Sequence, residues 1–129
     1  MMTLSHPELE DLTRRVIRAG IAVHTELGPG LLESTYEECF HWELVDEGLS
    51  IRRQSMIPIV YKSRVIPDAF RIDFVVNESL ILEIKAIEKV LPVHKSQVLT
   101  YLKLTRTPVG LLCNFNAPQF VDGVTRISL

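Results

Sequence analysis

The sequence has few of the features that mark special structural classes. Only two of its 129 residues are cysteines, Cys39 and Cys113, which lie far apart without CxxC or zinc-type spacing. We therefore expect two buried free thiols, with neither a disulfide framework nor a zinc site. No apolar run approaches the roughly 18 residues of a membrane helix, and no basic segment followed by an apolar run opens the chain. These absences predict a cytoplasmic protein that does not act in a membrane.

The sequence also lacks a large excess of basic or acidic residues. The chain has 14 Lys and Arg against 16 Asp and Glu, a formal net charge of −2. This balance excludes binding of nucleic acid through bulk positive charge, so any such contact has to be local. The apolar fraction of 47% and the charged fraction of 23% are typical of a globular protein. The length predicts a single domain, residues 1–129, with one hydrophobic core.

Hydrophobic periodicity predicts both helices and strands. Apolar residues at helical spacing predict helices over 7–27, 33–47 and 92–105. Alternating or short apolar runs predict strands over 51–61, 65–76, 80–87 and 108–115, with a short edge strand over 124–129. The order α-α-β-β-β-α-β predicts an α/β domain with a mixed central sheet flanked by helices.

The predicted hairpin 72–87 brings charges together. Strand alternation places Ile72, Phe74 and Val76 on one face with Leu80, Leu82 and Ile84, and leaves Asp73 and Glu83 on the other. A three-residue turn over 77–79 puts Asp73 directly opposite Glu83, with Cβ atoms about 4.5–5.5 Å apart. A loop of two or four residues would put the two carboxylates on opposite faces.

Two facing carboxylates repel each other unless a proton, a cation or a metal ion lies between them. Lys85 points the same way as Glu83, so the group suits a hard divalent ion with a lysine that orients water. The same register sets Arg71 against Lys85, which is unfavourable unless a phosphate separates them or the strand bulges. The alternative is a solvated pair, Glu83 with Lys85, on a wet strand. The apolar flanks on both sides favour the buried, functional arrangement.

Four motifs resemble a known nuclease group. Asp73 followed by Glu83-Ile84-Lys85 resembles the signature of the PD-(D/E)xK nuclease superfamily. Residues 30–36, GLLESTY, match the motif that names the GxxExxY protein family, a branch of that superfamily. Residues 97–101, QVLTY, resemble the QxxxY element of the superfamily's recombination-nuclease and exonuclease branch. Residues 110–116, GLLCNFN, resemble the C-terminal strand of the family. The resemblance covers about residues 16–115.

The resemblance implies a fold, a chemistry and a set of site residues. The implied fold is a restriction-endonuclease-like core, and the implied activity is metal-dependent hydrolysis of phosphodiester bonds in DNA or RNA. Asp73 and Glu83 would bind Mg²⁺ or Mn²⁺, Glu33 would complete the site, and Lys85 would position or activate the attacking water. Gln97, Tyr101 and Tyr36 would support the site or the substrate. Pro67-Asp68 also matches the "PD" of the superfamily name. Asp68 lies further from Glu83 along the chain than Asp73 does, so we expect it to have at most a supporting role.

Other interpretations of the same residues remain open. The chain is alternatively a catalytically silent nucleic-acid-binding or regulatory module, or a subunit of a homodimer. Glu33 alternatively compensates a helix dipole, Tyr36 alternatively packs in the core, and Trp42 lies in the core or at a dimer contact. Several basic residues form either the rim of a substrate groove or a salt-bridged surface: Arg52, Arg53, Lys62, Arg64, Lys89 and Lys95.

Overall fold

A computed structural model describes residues 4–129 and confirms an α/β fold with a mixed sheet. In chain order the elements are α1 (His6–Leu27), α2 (Glu33–Asp46), β1 (Ile51–Tyr61), β2 (Arg64–Val76), β3 (Leu80–Lys85), α3 (Pro92–Thr105), β4 (Val109–Asn114), a 3₁₀ turn (Phe120–Gly123) and β5 (Val124–Ser128). Each predicted element is present, with bounds that differ by one or two residues at most. Among the described residues, no helix is long and apolar enough to cross a lipid bilayer.

The sheet has the order β1-β2-β3-β4-β5. Strands β1, β2 and β3 are antiparallel neighbours, β3 and β4 are parallel, and β5 is antiparallel to β4. A parallel pair needs a crossover connection, and α3 supplies it between β3 and β4. The fold therefore brings the carboxyl end of β3 and the amino-terminal half of α3 to the same end of the sheet.

Helices cover the sheet on both faces. α1 begins at an N-cap, Ser5, whose side chain and backbone exchange hydrogen bonds of 3.2 Å with Glu8. α1 and α2 pack on one face, and α3 packs on the other. Both cysteines are free thiols. Cys113 lies fully buried in the larger cluster, where burial raises its pKa to about 12, whereas Cys39 is only half-buried.

Two expectations about burial are wrong. Ile72 does not share a face with Phe74; it packs with Val75 and Val98 beneath α3. The alternation of β2 is interrupted at Asp73, where the opposing residue of β1, Gln54, is left out of the pairing and has a positive φ of 51°. Of the two interpretations of Trp42, the core position is wrong, since 59% of its surface is exposed, and the dimer contact stays a prediction.

Candidate active site

The register of the hairpin formed by β2 and β3 places the carboxylates of Asp73 and Glu83 opposite each other. Phe74 pairs with Leu82, and the last pair before the turn is Val76 with Leu80, so the turn comprises three residues, 77–79. Asn77 and Glu78 in this turn have positive φ angles of 49° and 55°. The ladder between β2 and β3 ends at Phe74 and Leu82. Asp73 and Glu83 are therefore the first residues beyond the paired segment.

The two strands diverge at these carboxylates. Asp73 Oδ2 accepts a hydrogen bond of 2.8 Å from the backbone N–H of Ile84, so a side chain replaces the expected backbone partner. Asp73 and Glu83 are both buried, with 7% and 6% of their surfaces exposed. Because the ladder stops here, Arg71 and Lys85 are not cross-strand partners. The predicted clash between these two cations is thus avoided by the divergence.

The divergence opens a cleft of about 460 Å³. Six of the seven residues predicted for the site line it, and only Tyr36 does not. The full lining is Glu33, Met56, Asp68, Ala69, Phe70, Arg71, Asp73, Glu83, Lys85, Gln97 and Tyr101. Three different layers of the fold, α2, the sheet and α3, contribute to this one surface.

The electrostatics of the cleft disfavour two bare carboxylates. Burial, followed by the nearby charge of Asp73, raises the pKa of Glu83 to about 8. Burial also raises the pKa of Asp73, although the Ile84 N–H opposes that shift. The Lys85 Nζ lies 3.8 Å from Glu83 Oε1 and partly compensates the negative charge. Glu83 Oε2 is buried and has no hydrogen-bond partner.

Glu33 reaches the cleft from the first turn of α2. It is exposed at the cleft wall, and its pKa is raised by partial loss of water contact, with Lys85 acting in the opposite direction. The loop before it is fixed by the Gly30 N–H, which donates to Asn116 Oδ1 at 3.1 Å. Gly30 has a φ of 97°, a conformation that glycine adopts without strain.

Tyr36 supports that loop from the core and does not face the cleft. Its ring stacks on Phe115 at a centroid distance of 4.7 Å. Its hydroxyl donates to the Gly28 carbonyl at 2.6 Å and accepts from the Leu31 N–H at 3.1 Å. Tyr36 therefore packs in the core with its ring and, through its hydroxyl, positions the turn that precedes Glu33.

Removing this hydroxyl is expected to loosen the turn. Tyr36→Phe removes two hydrogen bonds from a partly exposed turn, those to the Gly28 carbonyl and from the Leu31 N–H. The loss costs about 0.5–1.5 kcal/mol of the free energy of unfolding for each bond. Urea denaturation followed by circular dichroism measures this loss. Tyr61→Phe is the matched control because 61% of Tyr61 is exposed. Equal stability of Tyr36→Phe and wild type would contradict the positioning role.

α3 presents Gln97 and Tyr101 to the cleft from successive turns. Gln97 is exposed, whereas Tyr101 is buried and packs edge-on against Phe70 at 5.5 Å. Burial, with the charge of Glu83 nearby, raises the pKa of Tyr101 to about 12. The hydroxyl therefore stays protonated and remains a hydrogen-bond donor. His94 does not line the cleft; its Nδ1 accepts from the Leu91 N–H at 2.9 Å at the start of α3.

A network behind Asp73 was not anticipated from the sequence. Arg53 donates to Glu37 at 2.9 Å and to Glu38 at 3.1 Å, and the Gln54 amide donates to the other oxygen of Glu37. The Glu37 carboxylate contributes to the raised pKa of Asp73. The sequence contains a signal for the position of Glu37, since Glu37 follows Glu33 by one helical turn and therefore lies on the same face of α2.

Two further charged residues of the cleft, Arg71 and Asp68, lie on β2. Strand alternation predicts that Arg71 faces the cleft, because it lies two residues from Asp73. Asp68 lines the cleft on the exposed part of β2, and the supporting role left open for it remains a prediction.

The residues present fit a hard divalent cation. Within residues 4–129, no group of three or more His, Cys, Asp or Glu side chains forms a ready-made metal site. Two buried carboxylates face the cleft, however, and one of their oxygens, Glu83 Oε2, has no partner. Mg²⁺ is typically bound through one or two carboxylates and keeps several waters. Asp73 and Glu83 supply such a set, with Glu33 on the adjoining wall.

Without added metal, stability is expected to depend on pH through Glu83. Its pKa of 4.5 in the unfolded chain rises to about 8 in the fold, so the folded state favours the protonated form. The free energy of unfolding therefore decreases as pH rises from about 4.5 to about 8, by on the order of 5 kcal/mol. Urea denaturation in EDTA across this pH range measures the slope.

Two variants isolate the contribution of this carboxyl group. Glu83→Gln should reduce the dependence of the free energy of unfolding on pH and should be more stable than wild type at pH 8. Glu26→Gln, the same change at an exposed position, should keep the wild-type slope. A slope that persists in Glu83→Gln would contradict the assignment to Glu83.

Comparison with known proteins assigns the family. A family model described as the PD-(D/E)XK nuclease superfamily matches residues 10–127, which includes every element from α2 to β4 and all the residues that line the cleft. Searches of the curated proteins and of the solved structures gave no match. Because the match spans nearly the whole chain and contains the carboxylate–lysine cleft, this protein belongs to the PD-(D/E)xK nuclease superfamily.

Proposed function

We propose that the protein is a divalent-metal-dependent nuclease that hydrolyses phosphodiester bonds in nucleic acid. The observation that carries this proposal is the pair of buried carboxylates, Asp73 and Glu83, beside Lys85 in one open cleft. Burying two like charges is costly without a compensating cation, so such a pair marks a functional site. The family assignment supports the same chemistry.

We further propose that the chain belongs to the GxxExxY branch. The motif residues Gly30, Glu33 and Tyr36 support this finer assignment through related roles at one loop. Gly30 adopts the positive φ of the turn, Tyr36 binds the turn through its hydroxyl, and Glu33 lies at the cleft wall. The three residues of the motif thus act on the same part of the site.

The residues of the cleft divide into binding and positioning roles. Asp73 and Glu83 would hold Mg²⁺ or Mn²⁺, with Glu33 close to them on the adjoining wall. When bound, such an ion offsets the charge of a phosphate and lowers the pKa of a water bound to it. The Lys85 ammonium orients the attacking water and balances the charge that develops on the phosphate. Gln97 and the protonated Tyr101 hydroxyl donate hydrogen bonds to phosphate oxygens.

The direct test combines metal binding with cleavage. Mg²⁺ and Mn²⁺ are titrated into the protein by calorimetry, and the same samples are incubated with labelled single- and double-stranded DNA and RNA. Metal-dependent cleavage would support the proposal. Absence of metal binding at millimolar ion would overturn it. Binding of nucleic acid without cleavage in either metal would favour the alternative, a catalytically silent module on a nuclease fold.

The remaining sequence-based expectations stay predictions. A single domain over residues 1–129, a homodimer and a cytoplasmic location follow from the arguments given for the sequence. Analytical ultracentrifugation tests the oligomeric state of the full chain directly.

A further inference from the structure

The outer parts of β1 and β2 extend beyond the helices that cover the rest of the sheet, and only the base of this extension, at Ile57 and Phe70, packs beneath α3. We define the arm as residues 55–71, which comprise most of β1, the turn at Lys62-Ser63 and the first half of β2. β1 is an edge strand, and β2 pairs with β3 only over Phe74–Val76. In the described sheet, the arm is therefore a two-stranded ribbon with no strand partner on either outer edge.

The arm is exposed although it carries apolar side chains. Every residue from Val60 to Asp68 is exposed, and Val60 and Tyr61 expose 68% and 61% of their surfaces. An isolated two-stranded ribbon is only marginally stable in water. A ribbon of this length with exposed apolar residues is therefore expected to contact a partner.

The charge of the arm indicates what that partner is. Residues 55–71 contain three basic residues, Lys62, Arg64 and Arg71, against one acidic residue, Asp68, although the whole chain has a net charge of −2. Arg52 and Arg53 at its base are paired with glutamates. At the tip, Lys62 and Arg64 form no salt bridge with any residue of 4–129, and the Lys62 Nζ lies 5.4 Å from the centre of the Tyr61 ring. Free cations beside an exposed aromatic ring are complementary to a polyanion that carries bases.

The arm is also continuous with the cleft. Met56, Phe70 and Arg71 belong to the base of the arm and line the cleft at the same time. From Ser55 to the turn, the ribbon spans roughly 25 Å at the usual rise per residue of a strand. The major groove of B-form DNA is about 12 Å wide and admits a two-stranded ribbon, whereas the major groove of A-form RNA is too narrow.

We propose that the arm inserts into the major groove of double-stranded DNA while a phosphate of the same duplex occupies the cleft. This inference rests on the proposed nuclease function and names its substrate class as duplex DNA. Lys62 and Arg64 contact backbone phosphates across the groove. The exposed apolar side chains of the arm contact base edges, including thymine methyl groups.

The test measures binding in EDTA, which prevents metal-dependent cleavage. Fluorescence anisotropy compares wild type with Lys62→Glu/Arg64→Glu on a labelled 30-base-pair DNA duplex, on the same duplex in RNA and on single-stranded DNA. Wild type should prefer the DNA duplex. The arm variant should lose at least roughly ten-fold in affinity, and the slope of log K against log salt should decrease by about 2.

A matched control removes the effect of net charge. Arg14→Glu/Lys103→Glu makes the same change in charge at exposed positions outside the arm and the cleft, and should bind within two-fold of wild type. If both double variants lose affinity equally, the arm has no special role. If circular dichroism shows that the arm variant is unfolded, Lys62→Gln/Arg64→Gln replaces it. Unchanged DNA affinity with an altered mass in ultracentrifugation would overturn the proposal and assign the arm to contact with a second copy.

A small substrate separates this proposal from the proposed function. Bis(p-nitrophenyl) phosphate tests the cleft alone, because this small diester is too short to contact the cleft and the tip of a ribbon of roughly 25 Å at the same time. If wild type with Mn²⁺ cleaves it and the arm variant binds duplex DNA as well as wild type does, the arm proposal alone fails. If wild type cleaves neither this diester nor DNA and yet binds duplex DNA through the arm, the nuclease function fails and the arm proposal stands.

Discussion

Asp73→Asn is expected to weaken divalent metal binding and to slow the cleavage of nucleic acid, both strongly. The amide keeps an oxygen that accepts the hydrogen bond from the Ile84 N–H, so the divergence of β2 from β3 is preserved. The negative charge, however, is lost at a buried position next to Glu83. Loss of groups that merely support a metal ligand costs about 10–100-fold, so loss of the ligand charge should cost at least roughly 100-fold in metal affinity and in cleavage rate.

The fold of this variant is expected to remain intact. Removing one of two buried, repelling carboxylates relieves an unfavourable interaction in the metal-free protein, so Asp73→Asn should be at least as stable as wild type to urea in EDTA. Asp46→Asn makes the same chemical change at an exposed end of α2 and should bind metal and cleave like wild type. Calorimetry and a labelled-DNA assay measure the two effects. Full activity of Asp73→Asn would remove Asp73 from the site.

Lys85→Gln is expected to separate metal binding from cleavage. Lys85 lies 3.8 Å from Glu83 and is a cation, so it repels a divalent ion held by the neighbouring carboxylates. Its removal should therefore leave metal affinity unchanged or raise it. Cleavage should decrease by roughly 100- to 1,000-fold, because the group that orients water and balances developing charge is gone.

Retained metal affinity together with slower cleavage distinguishes a chemical role of Lys85 from a structural one. If Lys85 only neutralised Glu83 in the fold, Lys85→Gln would lose stability, and metal binding and cleavage would change together. Lys103→Gln, on the exposed side of α3, is the matched control and should resemble wild type in both assays. A Lys85→Gln variant that cleaves at the wild-type rate would exclude Lys85 from the proposed mechanism.

Local patterns predicted the elements and the hairpin register because both depend on near neighbours. Helical and strand periodicities predicted each α-helix and β-strand to within one or two residues, whereas the 3₁₀ turn at Phe120–Gly123 was not predicted. The three-residue turn 77–79 fixes the ladder from Val76 and Leu80 onwards. The same alternation was wrong for Ile72. It assumes a regular strand, and β2 is irregular where the Asp73 side chain takes the Ile84 N–H.

The sequence by itself determined the α/β class, the turn that brings Asp73 and Glu83 to the same position, and the motif residues of a nuclease superfamily. Only the tertiary structure decided that the strands separate at these carboxylates, that Tyr36 supports the loop of Glu33 from the core, and that the Glu37 network lies behind Asp73. It also left the arm uncovered on both edges. The physical reason is that periodicity and turn length report only contacts close along the chain, whereas burial, electrostatic shifts and the end of a strand ladder depend on segments that meet only in the folded protein.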